Sequence, residues 1–425
     1  MVNIKFTLMK FLKNCARALT LTAAVLSIAR ATTGPLPTDS PAAQKIAAEM
    51  RVFTDRGDTA GLVLLVADGE RVLAVAPVGW ASLEEKIPLR ADAMFWIASM
   101  TKPVTTVALL MLVDEGKISL DDPVAKYLPE FNAPQKIVPA EAEKLAVTNR
   151  TEAGVSGASV APAPASVSVR QQPITIRHLL SNTSGLRFGA SEPTIDAWSL
   201  AEFAARAAQS DLLFEPGADY SYSTLNFTVA GRVIEVVAGE PYEIFLQRRV
   251  LDPLGMSDTT FWPNQAQIAR LAGAYAGDPQ TRTLTAKTPS RTRRPLDDRQ
   301  RHPAPGGGLF ATAADVAKFG QFLLNGGVAR GQRLLSEKSF VEMTKRQTPP
   351  TVRTSYGLGL SVSGDSFGHG GALGTNFSVW PKEQLVLVFM VQKLAGWGGP
   401  DGDQIQPRFN ALARELFAPK KIPLP

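Results

Sequence analysis

The chain has 425 residues, 45% hydrophobic and 20% charged, a balance that suits a folded globular protein and excludes a disordered or fibrous one. Its formal charge of +6 comes from 45 lysines and arginines against 39 acids, but five of those cations (Lys5, Lys10, Lys13, Arg17 and Arg30) lie in the first 31 residues, which hold no acid. Without that stretch 40 basic residues face 39 acidic ones, so the charge points to no nucleic-acid or anionic partner.

The basic N-terminus precedes an apolar run from Ala18 to Ala29, and Ala29-Arg30-Ala31 offers a small-residue cleavage site. This is the pattern of a secretory signal peptide over residues 1–31, and it predicts a secreted or periplasmic protein. The run is short of the ~20 residues that span a bilayer, so no membrane span is expected once the signal is removed. The single cysteine, Cys15, leaves with the signal. A chain without cysteine has no disulfide, no thiol nucleophile and no zinc–thiolate site.

Residues 41–56 read as an amphipathic helix with Ala43, Ile46, Ala47 and Met50 on one side. Gly61–Ala67 and Arg71–Val78 are apolar and joined around Asp68-Gly69, a hairpin signal. A helix from Ser99 runs through Val104–Val113 and stops at Gly116, with Pro103 early enough to be tolerated. Residues 133–172, rich in Ala, Val, Ser and Pro, show little periodicity and read as a long exposed insertion. Order resumes at Ile174–Leu180, followed by a turn at Thr183-Ser184-Gly185 and a helix at Val229–Val237 ending at Gly239. Residues 281–302, rich in arginine and proline, read as a surface loop. Asp315–Leu324 is a further helix, stopped at Gly326-Gly327. Gly357–Val362, Thr375–Trp380 and Leu385–Val391 read as strands, with a glycine-rich turn at Gly368-His369-Gly370-Gly371 between them. Strands at both ends with helices between imply an α/β (α+β) fold. Residues 41–115 and 304–420 would form the sheet-bearing sandwich, and 116–303 an inserted, mainly helical domain.

Ser99 and Lys102 carry the strongest chemical signal. A serine hydroxyl is a weak nucleophile until a base takes its proton, and a lysine one helical turn further on reaches it. About one such S-x-x-K match is expected by chance in a chain this long, so its surroundings matter. Tyr220 and Tyr222, in Pro216-Gly217-Ala218-Asp219-Tyr220-Ser221-Tyr222-Ser223-Thr224, offer a second group. A tyrosine beside a lysine acquires a lowered pKa and acts as acid or base near neutrality; alternatively both rings are packing residues. His369-Gly370-Gly371-Ala372 lets a substrate approach the backbone and offers an amide to an oxyanion. The competing reading is a hairpin turn with an exposed histidine. His178, His302 and His369 share no spacing with carboxylates, so no metal and no cofactor is expected. There is no P-loop and no G-x-G-x-x-G after a strand.

In order along the chain, F-W-I-A-S-M-T-K, I-T-I-R-H-L-L-S-N-T-S-G-L, P-G-A-D-Y-S-Y-S, L-D-P-L-G-M-S-D-T, P-G-G-G-L-F-A-T and G-H-G-G-A-L-G-T resemble the serine β-lactamase and penicillin-binding superfamily. The resemblance covers roughly residues 41–415 and is nearest to the class C-like branch that includes family VIII carboxylesterases and D-amino-acid peptidases. It implies an antiparallel sheet flanked by helices, Ser99 as acylated nucleophile, Lys102 as proton acceptor and Tyr222 as proton donor to the leaving group. It also implies an oxyanion hole from the amides of Ser99 and Ala372, and substrate contacts from Thr224, His369, Gly370 and Gly371. Two positions depart from the lactamase pattern: Thr224 stands where an asparagine would recognise a side-chain amide, and His369 replaces the lysine of K-T-G. The resemblance thus implies a serine hydrolase for small ester or amide substrates, an esterase first. A β-lactamase or D-amino-acid peptidase comes next, and a non-catalytic sensor of wall fragments is the reading from another class. It fixes no oligomeric state.

Overall fold

The computed structural model describes residues 35–138, 167–187, 198–278, 281, 283–288, 292, 294–394 and 404–419. The signal-peptide pattern, Cys15 and the middle of the 133–172 insertion lie outside the described residues.

The organising element is an antiparallel sheet of seven strands. They are β1 (Gly61–Ala67), β2 (Val72–Ser82), β3 (Ile87–Pro88), β4 (Ser361–Val362), β5 (Phe367–Gly370), β6 (Asn376–Trp380) and β7 (Leu385–Met390). Their order is β4-β5-β6-β7-β1-β2-β3. The β1–β2 hairpin forms where the sequence places it, because Asp68 Oδ1 accepts the amides of Glu70 and Arg71 at 2.8 Å each and closes the turn. The β1–β7 pairing joins the two ends of the chain, with Leu64 opposite Phe389 and Leu65 opposite Val388. Both strands are buried along their whole length, so they read as continuous apolar runs rather than alternating ones.

Five helices position the sheet and the site: α1 (Pro41–Asp55), α2 (Thr101–Asp114), α3 (Thr224–Ala238), α4 (Ala313–Leu324) and α5 (Ile405–Phe417). The Ser40 hydroxyl caps α1 by accepting the Ala43 amide at 3.1 Å, and Pro41 occupies the first helical position. Ile46, Met50 and Phe53 of α1 and Phe409 and Leu412 of α5 pack with Leu62, Leu64, Val66, Leu387 and Phe389 on one face of the sheet. On the opposite face α4 lies against the sheet, with Phe319 edge-on to Phe377 at 5.8 Å between ring centres. Helix α2 is buried from Thr101 to Leu112, which explains its apolar character all round.

Several expectations shift. The C-terminal glycine-rich run is not wholly a turn: Phe367–Gly370 is strand β5, and only Gly371 onward turns. Gly357–Val362 is not a continuous strand. Gly359 adopts φ +68 and its amide bonds to Leu180 O, so only Ser361–Val362 pairs. Helix α3 begins five residues earlier than Val229, at Thr224. The arginine- and proline-rich 281–302 region contains a strand, Leu284–Lys287, paired with Ala274–Gly277. Its four largely exposed residues give no burial alternation that would mark a strand. The flanks of the 133–172 insertion meet, Lys136 and Ile137 pairing with Val169 and Ser168.

Gly320 lies in the middle of α4, where alanine ordinarily gains about 1 kcal/mol of helix propensity. A Cβ there would stand 2.3 Å from Cγ1 of Val386, which is fully buried in β7. Overpacking of this kind costs about 1–3 kcal/mol. Gly320→Ala is therefore expected to lower stability by up to about 2 kcal/mol in urea denaturation; a stabilised variant would contradict this packing.

Candidate active site

Ser99 sits in a tight turn, Ala98–Met100, that leads directly into α2. The backbone on either side is anchored. Ile97 N donates to Leu309 O at 3.0 Å, and the Trp96 indole donates to Gly307 O at 2.7 Å. Ala98 has φ +44, a conformation that costs a non-glycine residue on the order of 1–3 kcal/mol. At the head of a helical run the Ser99 amide has no acceptor a turn behind it, so it is free to donate elsewhere.

Lys102 is fully buried at the second residue of α2, one turn beyond Ser99. Its Nζ lies 3.1 Å from Ser99 Oγ, 2.6 Å from Gly306 O and 3.4 Å from Thr224 Oγ1. All three partners are neutral, so among the described residues no hydrogen-bond partner compensates a buried positive charge, and burial pulls the amine down to about 7. The Gly306 carbonyl only accepts, so it takes an N–H of either charge state. The neutral amine thus keeps its lone pair for the Ser99 proton.

Tyr222 arrives on the segment just before α3, and Asn182 holds that segment. Asn182 O accepts the Ser221 amide at 3.0 Å, and its Oδ1 accepts the amide of Ser223 at 3.1 Å and the Asn226 side chain at 3.0 Å. Ser184 Oγ completes the buried set by donating to Asn226 Oδ1 at 2.6 Å. Lys102 Nζ stands over the face of the Tyr222 ring, 4.6 Å from its centre. The sequence argument expects the lysine to lower the tyrosine pKa, and the structure reverses it. The surrounding protein raises the Tyr222 phenol, outweighing the opposite pull of the Ser99 hydroxyl, while Lys102 is lowered. An amine near pKa 7 carries no full charge at neutrality, and it meets the ring face. Tyr220 is likewise pushed up by burial, to about 12, and its ring lies 5.7 Å from that of Tyr356.

The end of β5 closes the site. His369 is 5% exposed, which removes the exposed-turn alternative. Burial, with the nearby Lys102 charge, drives its imidazole down to about 3, so it is neutral in use. Gly371 presses on the catalytic turn: an added Cβ would lie 2.6 Å from Ile97 O and 2.1 Å from Thr375 Oγ1. Only glycine fits, and the Gly371-Ala372 backbone is thereby held beside the Ser99 turn. Among the described residues no backbone carbonyl accepts the Ala372 amide.

The structure therefore brings Ser99, Lys102, Tyr222, Thr224 and the His369–Ala372 edge to one place, with Thr224 also touching the base. Sequence reasoning missed three participants. The Gly306 carbonyl, third partner of Lys102, had a signal in its glycine run. Asn182 had a weaker one, as a residue tolerant of its φ of +58. Tyr356, 2.9 Å from His369 Nε2, had none.

A serine hydroxyl within hydrogen-bond reach of a desolvated lysine amine at a helix start, on an antiparallel sheet, is the arrangement of an enzyme of the serine hydrolase kind. A family model described as Beta-lactamase matches residues 44–406, and the chain belongs to that family. It is 32% identical over 381 residues to Protein Rv1367c of Mycobacterium tuberculosis, covering 81% of this chain and 88% of that one. It is 29% identical over 288 residues to esterase EstB of Burkholderia gladioli, covering 61% of this chain and 64% of EstB. Among solved structures it is similar to EstCE1, a hydrolase with promiscuous acyltransferase activity, at TM-score 0.67 and 23% identity over 88% of this chain and 98% of that one.

With Lys102 as base, the active form is the neutral amine, whose fraction rises with pH through about 7. The acylation rate is expected to rise with pH on a single limb centred near 7, read by stopped-flow with a chromogenic substrate. In the same position Lys102→Met is expected to be inactive yet to unfold roughly 2–4 °C higher, because it ends the burial of an amine without a counter-charge.

Proposed function

We propose that this protein is a secreted or periplasmic serine esterase for small, neutral acyl substrates, acting through a covalent ester at Ser99. The observation that carries the proposal is the fully buried Lys102 amine, pulled down to about 7 and 3.1 Å from Ser99 Oγ. Lys102 takes the Ser99 proton as Oγ attacks the substrate carbonyl. The amides of Ser99 and Ala372 receive the developing oxyanion. Tyr222, kept as a phenol by its raised pKa, hands its proton to the departing alkoxide and recovers one from Lys102. Water then attacks the acyl-enzyme, its proton passing to the Tyr222–Lys102 pair, and Ser99 leaves with a proton restored.

Two features support an ester over a β-lactam or wall peptide. His369 is neutral and buried where a fixed cation would meet a substrate carboxylate. Thr224 turns its hydroxyl toward Lys102, where an asparagine would recognise a side-chain amide. The named esterase among the relatives points the same way. The basic and apolar N-terminal run supports export.

The test compares a short-chain nitrophenyl ester with a chromogenic cephalosporin, and follows a fluorophosphonate adduct by mass spectrometry. Ester turnover with the adduct on Ser99 is expected, with slow or absent cephalosporin hydrolysis. Ser99→Ala is expected to abolish turnover, and Lys102→Ala to reduce it by about three orders of magnitude or more with the fold intact. Efficient cephalosporin turnover without ester turnover would assign the protein to lactam chemistry, and no adduct with either a fluorophosphonate or a penicillin probe would make it a binding module.

A further inference from the structure

Tyr356 has no part in the chemistry above, yet it is 1% exposed and its hydroxyl lies 2.9 Å from His369 Nε2. The other ring nitrogen, Nδ1, lies 2.7 Å from the carbonyl oxygen of Gly370. A carbonyl oxygen only accepts, so Nδ1 carries the proton. Nε2 of the neutral ring is then bare, and the Tyr356 hydroxyl donates to it. These two hydrogen bonds leave one tautomer and one ring orientation.

The Gly370–Gly371 peptide is gripped at both ends. Its carbonyl takes the His369 proton, and its amide, from Gly371, donates to Thr375 O at 2.7 Å. Gly371 cannot move toward the catalytic turn, since Ile97 O already sits where a Cβ would be. The next amide along the chain is that of Ala372. Tilting the Gly370–Gly371 plane therefore swings the donor assigned to the oxyanion.

We propose that Tyr356 and His369 form a fixed-tautomer clamp that sets the Gly370–Gly371 peptide plane and so aims the Ala372 amide: His369 is a positioning residue rather than a substrate-binding cation. The groups facing its ring are Lys102, Tyr222 and Tyr356, with Tyr220 behind Tyr356. Among the described residues none of its hydrogen-bond partners or close ring neighbours is a carboxylate that would favour an imidazolium. The role rests on the reading of Ser99 as the acylated residue.

The chain has three histidines, so the tautomer is directly measurable by nitrogen-15 NMR of histidine-labelled protein, with His369→Asn identifying the signal. The expected spectrum shows protonated Nδ1 and bare Nε2 on His369, unchanged from about pH 5 to about pH 9, a range in which an ordinary histidine titrates. An Nε2–H tautomer, or an imidazolium forming within that range, would overturn the clamp. Tyr356→Phe keeps the ring and removes only the donor. It is expected to lower kcat on the nitrophenyl ester roughly tenfold to a hundredfold, with KM within about twofold and the pH limb unmoved. Fluorophosphonate labelling of Ser99 in that variant is expected to be complete but slower. An unchanged kcat, or a loss confined to KM, refutes the positioning role. His369→Asn keeps an amide donor near the Nδ1 position and is expected to retain more activity than His369→Ala; equal loss in both also refutes it. Failure of the wild-type protein to label at Ser99 would instead sink the proposed function, while the NMR signal still reports the tautomer.

Discussion

Much of the site follows from keeping one amine, Lys102 Nζ, dry and without a counter-charge. Burying an uncompensated ammonium is expensive, and the group answers by giving up its proton near neutrality. That makes it a base able to accept from a serine hydroxyl at pH 7. It also dictates the surroundings: a hydroxyl, a threonine and a main-chain carbonyl supply hydrogen bonds without supplying charge. A single carboxylate in their place would lift the amine back toward its ordinary value and leave Ser99 facing an ammonium.

The packing serves this environment. Gly306 must bring its carbonyl to Lys102, and a Cβ on it would stand 2.5 Å from the Thr224 methyl. The neighbouring Pro305 carbonyl is pinned by Thr105 Oγ1 at 2.7 Å, and Thr105 is in turn 2.7 Å from the Tyr242 hydroxyl. Helix α2, buried from Thr101 to Leu112, carries Lys102, and the turn that leads directly into it carries Ser99. Across the gap, β5 delivers a neutral histidine and leads into the Gly371-Ala372 backbone, so the groups it brings to the site carry no charge. The left-handed backbone at Ala98 is the local strain this arrangement carries.

Elements with strong local signals were legible. The capped amphipathic helix after Ser40, the Asp68-Gly69 hairpin, and the glycine that ends α3 each depend on residues near in sequence. Ser99 with Lys102 was legible because one helical turn fixes their approach. Misreadings came where long-range pairing overrides local pattern. Gly368 and His369 look like a turn but become strand because β6 lies alongside, Gly368 opposite Ser378 and His369 opposite Phe377. Leu284–Lys287 looks like loop but finds Ala274–Gly277.

By itself the sequence determined which groups could do the chemistry: a serine and lysine at helical spacing, a tyrosine before a helix, and a glycine-flanked histidine. It could not determine their protonation. The lowered lysine and the raised tyrosine come from desolvation, with Lys102 held by a carbonyl more than two hundred residues away, and the single tautomer of His369 comes from its neighbour Gly370 and from Tyr356, a residue with no motif of its own. A pKa is a property of the environment, and only the tertiary structure assembles one.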